Sequence, residues 1–415
     1  MAHGIEPNAP KTISITPLLR RLWPSPGENH VTAEEIALAI SHIFTDQLSP
    51  VQTGALLTCL HFTGWDRRAD VIAKCAEAMR AAASQIDRKE LERVVKERGR
   101  PEGEYKGGLC DIVGTGGDSH HTFNISTTSS ILASSLLMLS KHGNRASTSK
   151  SGSADLLNST LPTAPNLMAV TPETISKVYQ KSNYSFLFAP VFHDGMKFVA
   201  PIRKELGWRT IFNLLGPLAN PVEGNIEARL LGVARRDIGP VFAEALKMSG
   251  ARKAMVVCGE EDLDEISCAG KTYCWRLVDR STHQDSPRDV DIESFTVSAE
   301  DFGLPAHPLA DVSPGKEPHE NAAILTRLLQ NQLPRDDPIF HFVLMNTAAL
   351  FVVSGVCEAD ESDMGHGDDG KVVTERGPGG GRWKEGVRRA RWAVESGEAW
   401  RQWSQFVEVS NSFNS

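Results

Sequence analysis

From position 12 to about 97, apolar residues recur at intervals of three and four, the spacing of one helix face, and Ile13, Leu18, Leu19 and Leu22 open the series. A turn is expected at Pro24-Ser25-Pro26-Gly27. Thr32 then precedes AEEIALAISHIF, with Glu35 at capping-box distance from it. Ser49-Pro50 opens VQTGALLTCLHFTG, and residues 66–86 supply a further helix. Together these stretches predict a small helical domain. The charged run 87–106, DRKELERVVKERGRPEGEYK, leads onward and reads as a solvated connection.

From Leu109 the pattern changes. Short β-rich runs (LCDIV, LLMLS, ARLLGVA, AMVVC) alternate with helix-like segments, which predicts a parallel sheet flanked by helices. The fold class that follows is α/β: a small α-helical domain plus a large α/β domain with a mostly parallel central sheet. In HDGMKFVAPIRKELGWRTIFNLLGPLANP (193–221), Phe198, Ile202 and Leu206 recur every four residues, with Arg203 beside that face. Pro201 is expected to kink or restart this helix. The longest apolar run, 340–356, contains His341, Asn346 and Thr347 and is too short for a membrane span, so it reads as a buried helix. A last helix covers 383–395. The polar stretch near 279–291 and the Gly- and charge-rich stretch 357–382 read as mobile surface insertions.

At 415 residues the chain exceeds one ordinary domain. A net charge of −8 argues against a general nucleic-acid binder or a partner of anionic membranes, which need a basic face. The cysteines (59, 75, 110, 258, 268, 274 and 357) form no CxxC pair, so reduced thiols are expected rather than a zinc site or disulfide framework. The N-terminal segment lacks the apolar core of a signal peptide, and a cytoplasmic location is expected.

The chemistry concentrates between Asp111 and Asp155. One loop, Gly114-Thr115-Gly116-Gly117-Asp118, continues to Asn124, Ser126 and Thr127. The other, Lys141-His142-Gly143-Asn144-Arg145, continues through Ser147, Ser149 and Lys150 to Gly152-Ser153. Each follows a strand-like run and leads into a helix-like one, where free backbone N–H groups and hydroxyls favour anions. Two such loops suggest a ligand with two phosphate-bearing ends. Neither fits GxxxxGK[ST] or GxGxxG, and no GxSxG elbow is present. A third loop, 259–265 (GEEDLDE), follows AMVVC. Asp264-Glu265 is either a solvated turn or, facing phosphates, a Mg²⁺ site to which Ser126 adds a hydroxyl. Lys141 is a candidate phosphate contact. Asn144 suits either a left-handed turn or a substrate hydrogen bond.

Four ordered blocks carry a family resemblance: GTGGD with the trailing NIST, KHGNRAS…SGSAD, the IRKELG…RTIFNLLGPLANP segment with its leading histidine, and LDE. The chain resembles the anthranilate phosphoribosyltransferases. That resemblance implies a homodimer whose substrates are phosphoribosyl diphosphate (PRPP) and anthranilate, with Mg²⁺ as cofactor. It implies a small domain at 1–106 completed by about 193–216, and a large domain at 107–192 and 217–415. PRPP contacts are implied at Gly114, Gly117, Asp118, Thr122, Asn124, Ser126, Thr127, Lys141, Asn144 and Ser153. The metal falls to Ser126, Asp264 and Glu265, and anthranilate to Gly114, His142, Asn144 and Arg203. Lys141, Asn144 and Arg203 are the implied catalytic groups. The sequence departs from the family's pattern at Asp194 (usually proline), Asp262 (usually glycine) and Glu261 (usually aspartate). The rival readings are a nucleoside phosphorylase of related architecture and a non-catalytic nucleic-acid-binding relative.

Overall fold

Thr32 caps the second helix as its spacing predicts: the Glu35 N–H donates to Thr32 Oγ1 at 3.3 Å, and the Thr32 N–H donates to Glu35 Oε2 at 3.0 Å. The computed structural model describes residues 12–23, 30–146, 151–280, 289–313 and 317–413. It divides into two compact units, 1–83 with 193–219 and 84–192 with 220–415. The expected turn at Pro24–Gly27 lies outside the described residues.

The first unit is helical. Helices Thr16–Leu22, Ala33–Phe44, Pro50–Thr63 and Ala69–Ala81 bury apolar stripes such as Ile36, Ile40 and Ile43. Helix Met196–Leu206 joins them and ends at Gly207, where φ is 75°. Pro201 neither breaks nor restarts it. The helix runs on as one element, although proline has no N–H to give to the carbonyl four residues back. The anticipated Phe198, Ile202, Leu206 face is only half-buried, and Val199 is the buried member.

The second unit holds a seven-stranded sheet. Its strands are β1 (Leu109–Gly114), β2 (Met138–Gly143), β3 (Tyr184–Phe188), β4 (Ile226–Gly232), β5 (Lys253–Gly259), β6 (Thr272–Asp279) and β7 (Val290–Val297). The spatial order is β3-β2-β1-β4-β5-β6-β7, parallel from β3 to β5 and antiparallel beyond. Alternate residues serve opposite faces, as a pleated strand requires. Cys110, Ile112, Leu139, Phe186 and Phe188 enter one core, and Leu109, Met138 and Leu187 enter the other. The first core surrounds helix Pro338–Ser354, buried on every side from Phe340 onward. Among the described residues no helix is long and apolar enough to cross a membrane.

Three expectations need correction. Residues 87–106 do not form a solvated connection. Asp87 caps helix Arg88–Arg98, whose Leu91, Val94 and Val95 at spacings of three and four fill the second core. The unit boundary therefore falls at 83/84 rather than after 106. The expectation near 279–291 falls largely on residues 281–288, which lie outside the described ones; at its ends Asp279 pairs with Val290 in the β6–β7 ladder. The stretch 357–382 is pinned rather than loose. The Trp383 and Trp392 indoles donate to Pro378 O and His366 O, both at 3.0 Å, and Arg382 donates to Ala359 O at 3.0 Å. Asp368 takes hydrogen bonds from Ser362 Oγ, the Met364 N–H and Arg388. Burial would raise this carboxyl; those donors outweigh it and hold it well below the usual carboxylate range.

Candidate active site

The strand order reverses at the β1–β4 pair, because the chain leaves β1 toward β2 and β3 and returns on the other side as β4 and β5. Ligands of such sheets bind outside the carboxyl ends of the strands at that reversal. Here both strands end in glycine, and Gly114 pairs directly with Gly232. The acidic loop that leaves β5 lies across both. A Cβ built on Gly114 falls 2.3 Å from Asp264 Oδ2, and one built on Gly232 falls 1.6 Å from Asp264 O. No side chain fits at either position without moving the carboxylate or its backbone.

The first glycine loop is tied to the acidic loop at several points. Gly116 and Gly117 both take left-handed backbone (φ 63° and 82°). That turn aims the Gly116 N–H at Asp264 Oδ2, 2.6 Å away. The Thr122 hydroxyl donates to Glu265 Oε2 at 3.3 Å, and His120 Nε2 meets Glu261 O at 2.6 Å. Asp262, which stands where the family pattern has glycine, is left-handed with φ 60°.

The electrostatics call for a cation. Burial, then the charge of Asp118, pushes the Asp264 carboxyl up to about 7. Burial, then Asp264 and Asp118, drives Glu265 well upward against donors from Thr122 and the Ser126 N–H. Lys141 is buried beneath them. Desolvation lowers its ammonium, while Asp111, Glu265 and Asp264 pull it back up. Among the described residues no three or more His, Cys, Asp or Glu side chains form a closed ligand cage. Mg²⁺ binds through one or two carboxylates and keeps its other positions for phosphate and water. Two crowded carboxyls with Ser126 in the first turn of helix Ile125–Ala133 fit such an ion.

The second loop rises from β2, with Lys141 and His142 inside the strand and both buried. Asn144 is exposed and is not left-handed. Its Oδ1 accepts the Arg145 N–H at 2.8 Å, so the left-handed-turn reading falls. Asp155 gathers the loop's two ends by accepting from the Ala146 and Gly152 N–H groups at 2.7 and 3.1 Å. Ser147, Ser149 and Lys150 lie outside the described residues. The two loops are joined: Thr127 Oγ1 donates to Ser153 Oγ at 2.9 Å, and Asn124 Nδ2 donates to Ser151 O at 2.9 Å.

The second unit thus brings together Gly114, Gly117, Asp118, Thr122, Asn124, Ser126, Thr127, Asp264 and Glu265, with Lys141, His142, Asn144 and Ser153 on the neighbouring loop. Arg203 belongs to the helical unit and is set by it. Its Nη2 donates to Asn213 Oδ1 at 3.2 Å, and its guanidinium lies 5.7 Å from the Phe212 ring. Burial lowers its pKa.

Sequence reasoning missed several supporting residues. Gly232 and His120 act on the backbone of the acidic loop, which no local pattern reveals, and Asp155 holds the two ends of the loop that leads into its own helix. Asp111 was detectable as a lone carboxylate inside an apolar strand. Fully buried, it accepts from Asn220 Nδ2 at 3.0 Å, and Asn220 also donates to Ser140 O of β2 at 2.9 Å.

Similarity to known proteins identifies the family. Family models described as the glycosyl transferase family's helical bundle domain and a/b domain match residues 16–83 and 106–400. Anthranilate phosphoribosyltransferase of Schizosaccharomyces pombe is 39% identical, over 92% of this chain and 93% of its own length. Two solved structures of the Saccharomyces cerevisiae enzyme each cover 95% of this chain. The one in complex with PRPP and Mg is 30% identical, is itself covered over 97% and has a TM-score of 0.76. The one in complex with 4-fluoroanthranilate is 29% identical, is covered over 96% and has a TM-score of 0.74. On its paired domain models and its near-full-length relatives, the chain belongs to the anthranilate phosphoribosyltransferases of the glycosyl transferase family.

Proposed function

We propose that this protein transfers the 5-phosphoribosyl group of PRPP to the amine of anthranilate, giving N-(5-phosphoribosyl)anthranilate and diphosphate, the second step of tryptophan biosynthesis. The observation that carries the reading is the Gly114–Gly232 pair beneath Asp264, which joins an N–H-rich loop to acidic groups in want of a cation. Gly114, Gly117, Asp118, Thr122, Asn124, Ser126, Thr127, Lys141, Asn144 and Ser153 are assigned to PRPP. Asp264 and Glu265, with Ser126, hold Mg²⁺, which when bound offsets negative charge on the diphosphate. Gly114, His142 and Asn144 are assigned to anthranilate along with Arg203. The planar Arg203 fork, steadied by Asn213, suits its carboxylate.

In the reaction the anomeric C–O bond to diphosphate breaks as the C–N bond forms, and the amine loses a proton. Attack from the face opposite the leaving group inverts the anomeric carbon. Negative charge grows on the departing diphosphate, where preorganised N–H donors and the buried Lys141 ammonium stabilise it. The aryl amine is itself the nucleophile, so no covalent enzyme intermediate is required, and positioning supplies much of the remaining acceleration. Neither the phosphorylase nor the nucleic-acid-binding reading is favoured by the relatives.

The test is the loss of anthranilate fluorescence on mixing with PRPP. It should require Mg²⁺ and release one diphosphate per anthranilate consumed. Phosphorolysis of a nucleoside without this loss would overturn the assignment. We extend the proposal to a homodimer, supported by the large apolar side chains Leu38, Val51 and Phe62 that the helical unit leaves exposed. Sedimentation at a single-chain mass would refute it.

A further inference from the structure

Three of the hydrogen bonds that tie the first glycine loop to the acidic loop differ in kind. The Gly116 N–H and the Thr122 hydroxyl bind the carboxylates of Asp264 and Glu265. On the metal assignment above, those are the groups an incoming cation competes for. The third tie leaves both carboxylates free: His120 donates its Nε2–H to the main-chain oxygen of Glu261 at 2.6 Å. A carbonyl can only accept, so the half-buried imidazole must carry its proton on Nε2.

Both ends of this tie are held rigidly. His121 is left-handed at φ 50°, which folds the chain back immediately after His120. Two residues on, the buried Phe123 donates its N–H to Val312 O at 2.9 Å. On the other side Glu261 sits in a tight turn off β5. In it the Asp262 N–H donates to Gly259 O at 3.0 Å, and the Gly259 N–H donates to Leu263 O at 2.8 Å. Fixing Glu261 O therefore fixes the turn that presents Asp264 three residues later.

We propose that His120 is a positioning residue for the metal carboxylates: its bond to Glu261 O keeps the acidic loop in register with the glycine loop when Asp264 and Glu265 turn to the cation. Nothing in the family motif GTGGD…NIST specifies a histidine at this place. The inference rests on the metal assignment made under the proposed function.

The test titrates Mn²⁺, as a spectroscopic stand-in for Mg²⁺, into the full chain with PRPP present, reading free Mn²⁺ by electron paramagnetic resonance. His120→Ala should weaken Mn²⁺ binding about tenfold, the scale of one well-formed hydrogen bond. His120→Gln, which retains an N–H donor, should regain most of the loss, and the anthranilate KM at saturating metal should match in all three proteins. A structural role alone would not move the metal midpoint and be rescued by a donor. Wild-type Mn²⁺ binding in His120→Ala, or a Gln variant no better than Ala, overturns the role of His120 alone. Absence of Mn²⁺ binding to the unaltered chain with PRPP overturns the metal assignment itself.

Discussion

Gly232→Ala is the sharpest test of how the site is built. The added methyl would lie 1.6 Å from Asp264 O, 2.4 Å from its carbonyl carbon and 3.2 Å from its Cα. All three are main-chain atoms, so no rotamer change relieves the clash. An ordinary carbon–oxygen contact is about 3.5 Å, so loop and strand must separate by roughly 1.5–2 Å. Overpacking of this kind costs about 1–3 kcal/mol. A displacement of about 1 Å at a reacting centre costs on the order of a hundredfold in rate. Gly114→Ala is the control, because it touches the same residue through its side chain. There the methyl would fall 2.3 Å from Asp264 Oδ2 and 3.4 Å from Asp264 O. The carboxylate can swing aside, giving up the Gly116 N–H bond while the backbone stays in place. Diphosphate release across a Mg²⁺ titration, paired with urea unfolding, reads both effects. Each variant should lose about a hundredfold in kcat/KM, and Gly232→Ala should lose at least about 1 kcal/mol more stability than Gly114→Ala. Near-normal turnover in Gly232→Ala, or the reverse order of stabilities, would refute the reasoning.

Arg203→Ala should raise the anthranilate KM by about 10- to 100-fold, the scale of a charge-assisted hydrogen bond, with the PRPP KM within about twofold. Equal losses for both substrates would remove Arg203 from its assigned role. Burial lowers buried His193 to about 4 against an ordinary value near 6.5. The unfolded chain therefore takes up a proton that the folded chain refuses, and stability falls by about 3 kcal/mol as pH drops from 6.5 to 4, then levels off. The raised carboxyl of Asp264 works in the opposite sense, so the measurement is a difference: urea unfolding at several pH values should show a shallower slope in His193→Gln, and equal slopes would exclude the histidine. Because Asp262 is left-handed, Asp262→Val should cost about 1–2 kcal/mol in thermal unfolding and Asp262→Gly less than about 0.5, and equal losses would count against backbone strain there.

What the sequence revealed, and what it hid, divides by how far each cause reaches along the chain. β1, β2, β4 and β5 were readable because parallel strands covered on both faces are nearly continuous apolar runs. β3, only five residues long (YSFLF), is a run that a buried helix could equally provide. β6 and β7 mix charged and apolar residues, since part of β6 is only half-buried and part of β7 is exposed. In helix Arg88–Arg98 eight of eleven positions are charged or polar, so composition masked Leu91, Val94 and Val95. The stretch 357–382 has the glycine and aspartate content of a disordered loop, but its restraints include Glu385, Arg388 and Trp392, which lie beyond it in sequence. The site follows the same division. Groups that act through their own side chains, such as Lys141, Asp264 and Arg203, stood out by type and setting. Gly232 acts by having no side chain, and the Glu261 contribution is a backbone carbonyl. Their importance depends on the β1–β4 register and on the path of the acidic loop across it, both of which emerge only when distant segments pair.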